Sequence, residues 1–129
     1  MIHVYISVAL KTCVGSEGDA NGVIKFIDVR IADGIHNTDL IRNSEIFTCE
    51  NPGLYLISFY IVTNAKHGRY DMYKNTVRIS DGLSLLTNHY ETTSVNVIEH
   101  LTANDTISIK GNMYVFSGYE SCLTILQMK

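Results

Sequence analysis

FTCENPGLYLISFYIVT, Phe47 to Thr63, decides the architecture. Asn51-Pro52-Gly53 is a turn signal, because proline presets φ and glycine and asparagine tolerate the conformations a sharp reversal needs. The nine residues that follow, Leu54 to Val62, contain one clearly polar side chain, Ser58. The run is far shorter than the roughly 20 residues of a membrane-spanning helix. Read as a strand it is apolar on both faces. One face enters a core, and the other needs a cover of its own.

Period-two alternation continues to either side. In Ile2-His3-Val4-Tyr5-Ile6-Ser7-Val8-Ala9-Leu10 every even position is aliphatic, which marks one face as core. Residues 15–22 (GSEGDANG) read as a loop, Val23 to Ile31 as a strand, and Asp33 to Ser44 as a second loop that Asp33-Gly34 opens. Glu45 to Cys49 is a short strand. Arg69 to Ser80 reads as a strand or hairpin bent near Lys74-Asn75, and Asp81-Gly82 as a turn. A short strand over Leu83 to Thr87 precedes a loop, Asn88 to Thr93, and a strand, Ser94 to Leu101. Thr102 to Asp105 is a tight turn, Thr106 to Lys110 a strand, 111–120 a loop, and Cys122 to Met128 the last strand. No segment carries the spacing and caps of a helix of ordinary length. Many short strands between turn signals predict an all-β sandwich or barrel.

The totals agree. The 129 residues fit a single domain over 1–129, long enough to bury a core without disulfide staples. A net charge of −3 without any block of like charge disfavours a nucleic-acid partner. No apolar run supports membrane insertion, and the start lacks the basic region of a secretory signal. Cys13, Cys49 and Cys122 make an odd count, so at least one is unpaired within the chain. They fit small buried apolar residues, and a Cys13–Cys122 bridge between the terminal strands stays open.

The order of these signals resembles the globular head of the C1q family. Phe47-x-Cys49-x-x-Pro52-Gly53-Leu54-Tyr55 is similar to its F-T-C-x-x-P-G-x-Y core, with Phe59 at a further aromatic position. Ile24-Lys25-Phe26 with Val29, the Lys74-Asn75 turn, Val97 to Asp105 and Val4 to Leu10 resemble its other strand and turn motifs. The chain departs from the pattern where Asn104 replaces a glycine and Thr124 a second glycine, and it has no collagen-like repeat. It also lacks the cysteine that some heads pair with the one in F-T-C. The resemblance implies a ten-stranded jelly roll of the C1q and tumour-necrosis-factor type, assembled as a compact homotrimer. Neighbouring subunits would then cover the second face of the long strand.

No catalytic pattern stands out. The five histidines are scattered, and there is no nucleophile elbow, phosphate loop or H-E-x-x-H. The chain therefore reads as a non-enzyme. Relatives that hold calcium do so with acidic apical loops, and Glu91 is the single acidic residue here on that pattern; a solvated carboxylate is the alternative. Ligand recognition through loops on a rigid sandwich is the remaining chemistry. Tyrosine suits sugars, with a flat apolar ring and a hydroxyl. Candidate ligand-binding residues are Arg69, Tyr70, Tyr73, Lys74, His89, Tyr90, Tyr114 and Tyr119, the two cations being suited to an acidic sugar or phosphate. Packing within strands or between subunits is the competing role for the tyrosines. Asn104-Asp105-Thr106 is the one glycosylation sequon, which fits an extracellular, secreted setting. The expected function is a trimeric, lectin-like module of innate immunity that binds carbohydrate or microbial surface ligands. The alternative is a cytokine-like or structural trimer that binds a protein receptor.

Overall fold

The computed structural model describes residues 6–20, 22–36, 38–44, 46–64, 68–83 and 90–128. In chain order the elements are β1 (Ile6–Val14), β2 (Gly18–Asp19), β3 (Gly22–Val23), β4 (Asp28–Asp33), α1 (Thr38–Ser44), β5 (Phe47–Thr48) and β6 (Gly53–Thr63). Then follow β7 (Arg69–Lys74), β8 (Val77–Leu83), β9 (Glu91–Leu101), β10 (Thr106–Gly111), β11 (Tyr114–Val115) and β12 (Gly118–Met128). One antiparallel sheet has the order β4-β1-β12-β6-β9. The facing sheet has the order β3-β10-β7-β8, with β5 also paired to β10. β2 and β11 form a separate two-stranded ribbon. This is the jelly roll that the resemblance implied, with five strands in each main sheet.

The long strand lies near the middle of the first sheet. Its inward residues Tyr55, Ile57, Phe59 and Ile61 are buried, and so are Leu123 and Ile125 of β12 and Val8 and Leu10 of β1. Ile107, Ile109 and Met72 meet them from the second sheet in one core. The rings of Phe59 and Tyr70 close the two layers edge to face at 5.3 Å. Two polar side chains inside this core are matched, whereas the buried Thr12 Oγ1 on β1 has no hydrogen-bond partner among the described residues. Gln127, buried in β12, donates to the Pro52 carbonyl at 2.9 Å and accepts from Ser7 Oγ at 2.8 Å. Tyr55 donates its hydroxyl to the Asn51 carbonyl at 2.6 Å, which ties the Asn51-Pro52-Gly53 turn to the strand it launches.

Several sequence-based expectations shift. The strand over Val23 to Ile31 is two strands, because β3 pairs with β10 while β4 pairs with β1, and the segment between crosses from one sheet to the other. The loop over Asp33 to Ser44 contains the seven-residue helix α1, which buries Ile41 and is shorter than any periodicity test resolves. Asp81-Gly82 is not a turn but part of β8; the reversal is at Asn75-Thr76, with Asn75 in the left-handed region at φ 56°. Gly82 has a different purpose: the Tyr70 ring lies where a β-carbon on Gly82 would be. β9 starts at Glu91, earlier than expected, and β11 interrupts the loop over 111–120. The strand expected over Leu83 to Thr87 lies, beyond Leu83, outside the described residues. The turn at Thr102 to Asp105 is as expected, with Asn104 left-handed at φ 73°. Cys13 and Cys122 are directly opposed on β1 and β12 and form a disulfide, while Cys49 is a buried free thiol.

Candidate functional site

Three surfaces carry the residues of interest. The first is the outward face of the sheet that holds β6. Strand register assembles it in rows. Leu56 stands between Ile98 of β9 and Leu126 of β12, which in turn faces Ala9 of β1. The neighbouring row is His100, Leu54, Met128 and Ile6. Ile98 is 67% exposed and Ile6 52%, with Leu54 and Met128 at 41% each. A polar row follows, Asn96, Ser58, Thr124 and Lys11, and then Tyr60 beside the Cys13–Cys122 bridge. In a single chain, then, the second face of the opening stretch stands in water and carries a continuous apolar half.

The second surface is the outward face of the other sheet. Arg69, Asp71 and Tyr73 alternate outward along β7, while Tyr70 and Met72 point inward. Tyr70 is only 4% exposed, and its hydroxyl shares a hydrogen bond with Thr93 Oγ1 across the sandwich. It is a core residue and offers no ring to a ligand at the surface. Arg69 pairs with Asp71 and Asp81, each at 3.4 Å, and Arg78 reaches Asp71 at 3.7 Å. Lys74 donates to the His100 carbonyl at 2.9 Å. The two cations expected to meet an acidic group are thus engaged within the chain. Lys110 sits over the ring of Tyr73 at 4.7 Å.

The third surface lies at the end of the sandwich where β6 finishes and β9 begins. Phe116 stands between two tyrosine rings, 5.1 Å from Tyr90 and 5.1 Å from Tyr114, both edge on. Its own amide donates to the Val62 carbonyl at 3.1 Å, which fixes the cluster to the end of the long strand. Tyr114 donates its hydroxyl to Glu17 at 3.0 Å. Tyr90 is 70% exposed. Two predicted ligand-binding residues, Tyr90 and Tyr114, are therefore joined through Phe116. Phe116 and Glu17 complete the group and were missed, because positions drawn from three separate segments, around 17, 90 and 114–116, give no local pattern. His89 and the Tyr119 side chain lie outside the described residues.

Glu91 stands on β9, opposite Thr63 of β6, instead of in a loop. Among the described residues no group of three His, Cys, Asp or Glu side chains is placed to hold a metal ion. Burial raises the pKa of Cys49, whose thiol donates to the Asn51 carbonyl, so it is a poor nucleophile at neutral pH. No described helix is long and apolar enough to cross a membrane.

No family model matches the chain, and no curated protein matches it in sequence. Solved structures do match. The globular domain of zebrafish complement 1qA protein aligns with a TM-score of 0.70 over 92% of this chain and 94% of that one, at 17% identity. Murine APRIL at pH 5.0 aligns with a TM-score of 0.70 over 93% of this chain and 98% of its own, at 12% identity. The pH 8.5 structure of murine APRIL gives the same coverage and TM-score at 10% identity. The chain has the C1q and tumour-necrosis-factor-like fold.

Proposed function

We propose that the protein is a non-enzymatic recognition module that works as a homotrimer and binds carbohydrate or microbial surface ligands. The observation that carries the assembly is the apolar half of the β4-β1-β12-β6-β9 face. Leu54, Leu56, Leu126, Met128, Ile98 and Ile6 form neighbouring rows there. Covering a side chain of this size is worth roughly 1.5–3 kcal/mol, so a few of them favour association strongly. Three-fold packing is the arrangement that the resemblance to C1q heads implies.

Recognition then gains from repetition. Three weak sites on one rigid body give avidity for a surface that repeats its ligand. The disulfide between β1 and β12 supports an extracellular, secreted setting, since such bridges persist in oxidising compartments. Calcium at Glu91 would need carboxylates from three subunits around the axis. A calcium titration of thermal stability, with Glu91→Gln as the comparison, decides that point.

Size-exclusion chromatography with light scattering tests the assembly, and a trimer mass is the expected result. A glycan array with competition by free sugar tests recognition. The second reading, a cytokine-like trimer with a protein receptor, rests on the same apolar face, which would assemble either kind. It prevails if the array is silent and a receptor ectodomain binds the trimer.

A further inference from the structure

We infer that the aromatic cluster of Tyr90, Phe116 and Tyr114, together with Glu17, is the sugar site, and that it takes an uncharged pyranose and excludes acidic sugars. The inference rests on the carbohydrate reading above and gives it a place and a ligand class.

The argument begins with Tyr90. A tyrosine that is 70% exposed leaves most of its ring in water, and this one is steadied by an edge contact to Phe116. Phe116 is itself buttressed by Tyr114 and anchored through its backbone to Val62. A ring that is both open and held is a stacking platform. The C–H face of a pyranose is apolar and lies flat on such a ring, and few bonds need to be frozen to receive it.

Stacking does not orient a sugar; hydrogen bonds to its hydroxyls do. Glu17 accepts from the Tyr114 hydroxyl at 3.0 Å and from Ser117 Oγ at 3.5 Å, one on each carboxylate oxygen. A carboxylate has about four acceptor positions, so two remain to receive ligand hydroxyls. A groove of about 410 Å³ adjoins Glu17, lined by Val14, Ala20, Ile24 and Val115 and also by Ser16 and Lys25, with room for a second ring.

Charge settles the class. A fixed carboxylate beside the platform repels a uronic or sialic acid. Lys25, the cation that lines the same groove, has an interaction of its own within the chain, and on the other candidate surface Arg69 is paired with Asp71 and Asp81 and Lys74 with a carbonyl. Rotational symmetry puts all three copies of the cluster at one height along the axis, which suits a repetitive neutral glycan.

The test is saturation-transfer NMR and calorimetry on the assembled protein with methyl mannoside, methyl galactoside, N-acetylglucosamine and glucuronate. The neutral sugars are expected to bind and glucuronate is not. Tyr90→Ala should weaken the neutral sugars by about tenfold or more. Glu17→Gln keeps an acceptor but removes the charge, so glucuronate should gain relative to the neutral sugars. Because Tyr90 is exposed, its variant tests binding and not folding. The site is overturned if Tyr90→Ala binds neutral sugars like the parent, or if the parent prefers glucuronate. Loss of sugar binding in Lys110→Ala alone would move the site to the other sheet and leave the carbohydrate reading intact. If neither these probes nor an array of glycans binds, that reading fails and the site with it.

Discussion

The two outward faces of the sandwich solve the same problem in opposite ways. On the β7–β8 side, Arg69, Asp71, Arg78 and Asp81 alternate in sign and neutralise one another. That face is at ease in water. On the β6 side the two apolar rows have ionisable groups only at their ends, His100 on β9 and Asp33 on β4; water is a poor neighbour for the rest, and a second copy is a good one. The lesson is that a sheet's exposed face has two stable outcomes, a self-paired polar lattice or a subunit contact; this chain shows the first on one side, and we propose the second on the other.

The sharpest way to break the contrast is on β6 itself, where neighbouring residues face opposite ways. Phe59→Ala, on the buried side, should cost about 3–5 kcal/mol of stability, read by urea denaturation. Leu56→Asp, on the outward side, should leave the circular dichroism of a β protein intact and shift the light-scattering mass from trimer to single chain. If Leu56→Asp remains a trimer, the apolar rows are not the subunit contact. Next in size is the bridge in the same sheet, beyond the polar row. Cys13→Ser with Cys122→Ser opens a link across a sequence separation of 109 and should cost about 2–4 kcal/mol, measured as a lower denaturation midpoint.

Smaller effects sharpen the other side of the comparison. Asp105 accepts from the Asn75 side-chain amide at 3.0 Å and from the Thr102 amide at 2.8 Å. These bonds, the Asn75 amide first, lower its pKa from the ordinary 3.8. Its contribution to stability is therefore complete above that value and lost as the pH falls through the lower folded value. Melting temperatures taken between neutral pH and about pH 2.5 should show a shallower acid loss for Asp105→Asn than for the parent. Arg78→Ala should change stability by no more than about 0.5 kcal/mol, since exposed ion pairs contribute little. A large loss there would mean that the charged lattice is itself a contact surface.

Legibility followed distance along the chain. The strand from Gly53 to Thr63 and its turn were plain, because alternation and Asn-Pro-Gly are local signals. The left-handed Asn104 was legible for the same reason. Tyr70 was misjudged as a surface residue: its neighbours Arg69 and Lys74 are polar, and strand alternation alone leaves open which of Tyr70 and Tyr73 turns inward. The helix α1 escaped because seven residues make too little periodicity to detect. Of the aromatic cluster the sequence marked Tyr90 and Tyr114 separately, as two tyrosines in loops.

By itself the sequence determined that the chain is mostly β, where several of its turns fall, though not at Asp81-Gly82, and that its long strand over Gly53–Thr63 would be apolar on both sides, since period and turn chemistry act between near neighbours. Only the tertiary structure decided that the segment after residue 22 serves two sheets, that Cys13 meets Cys122, and that Glu17, Tyr90, Tyr114 and Phe116 share one surface. Those outcomes depend on strand register and on how the sheets close over each other, and register is set by the whole core at once.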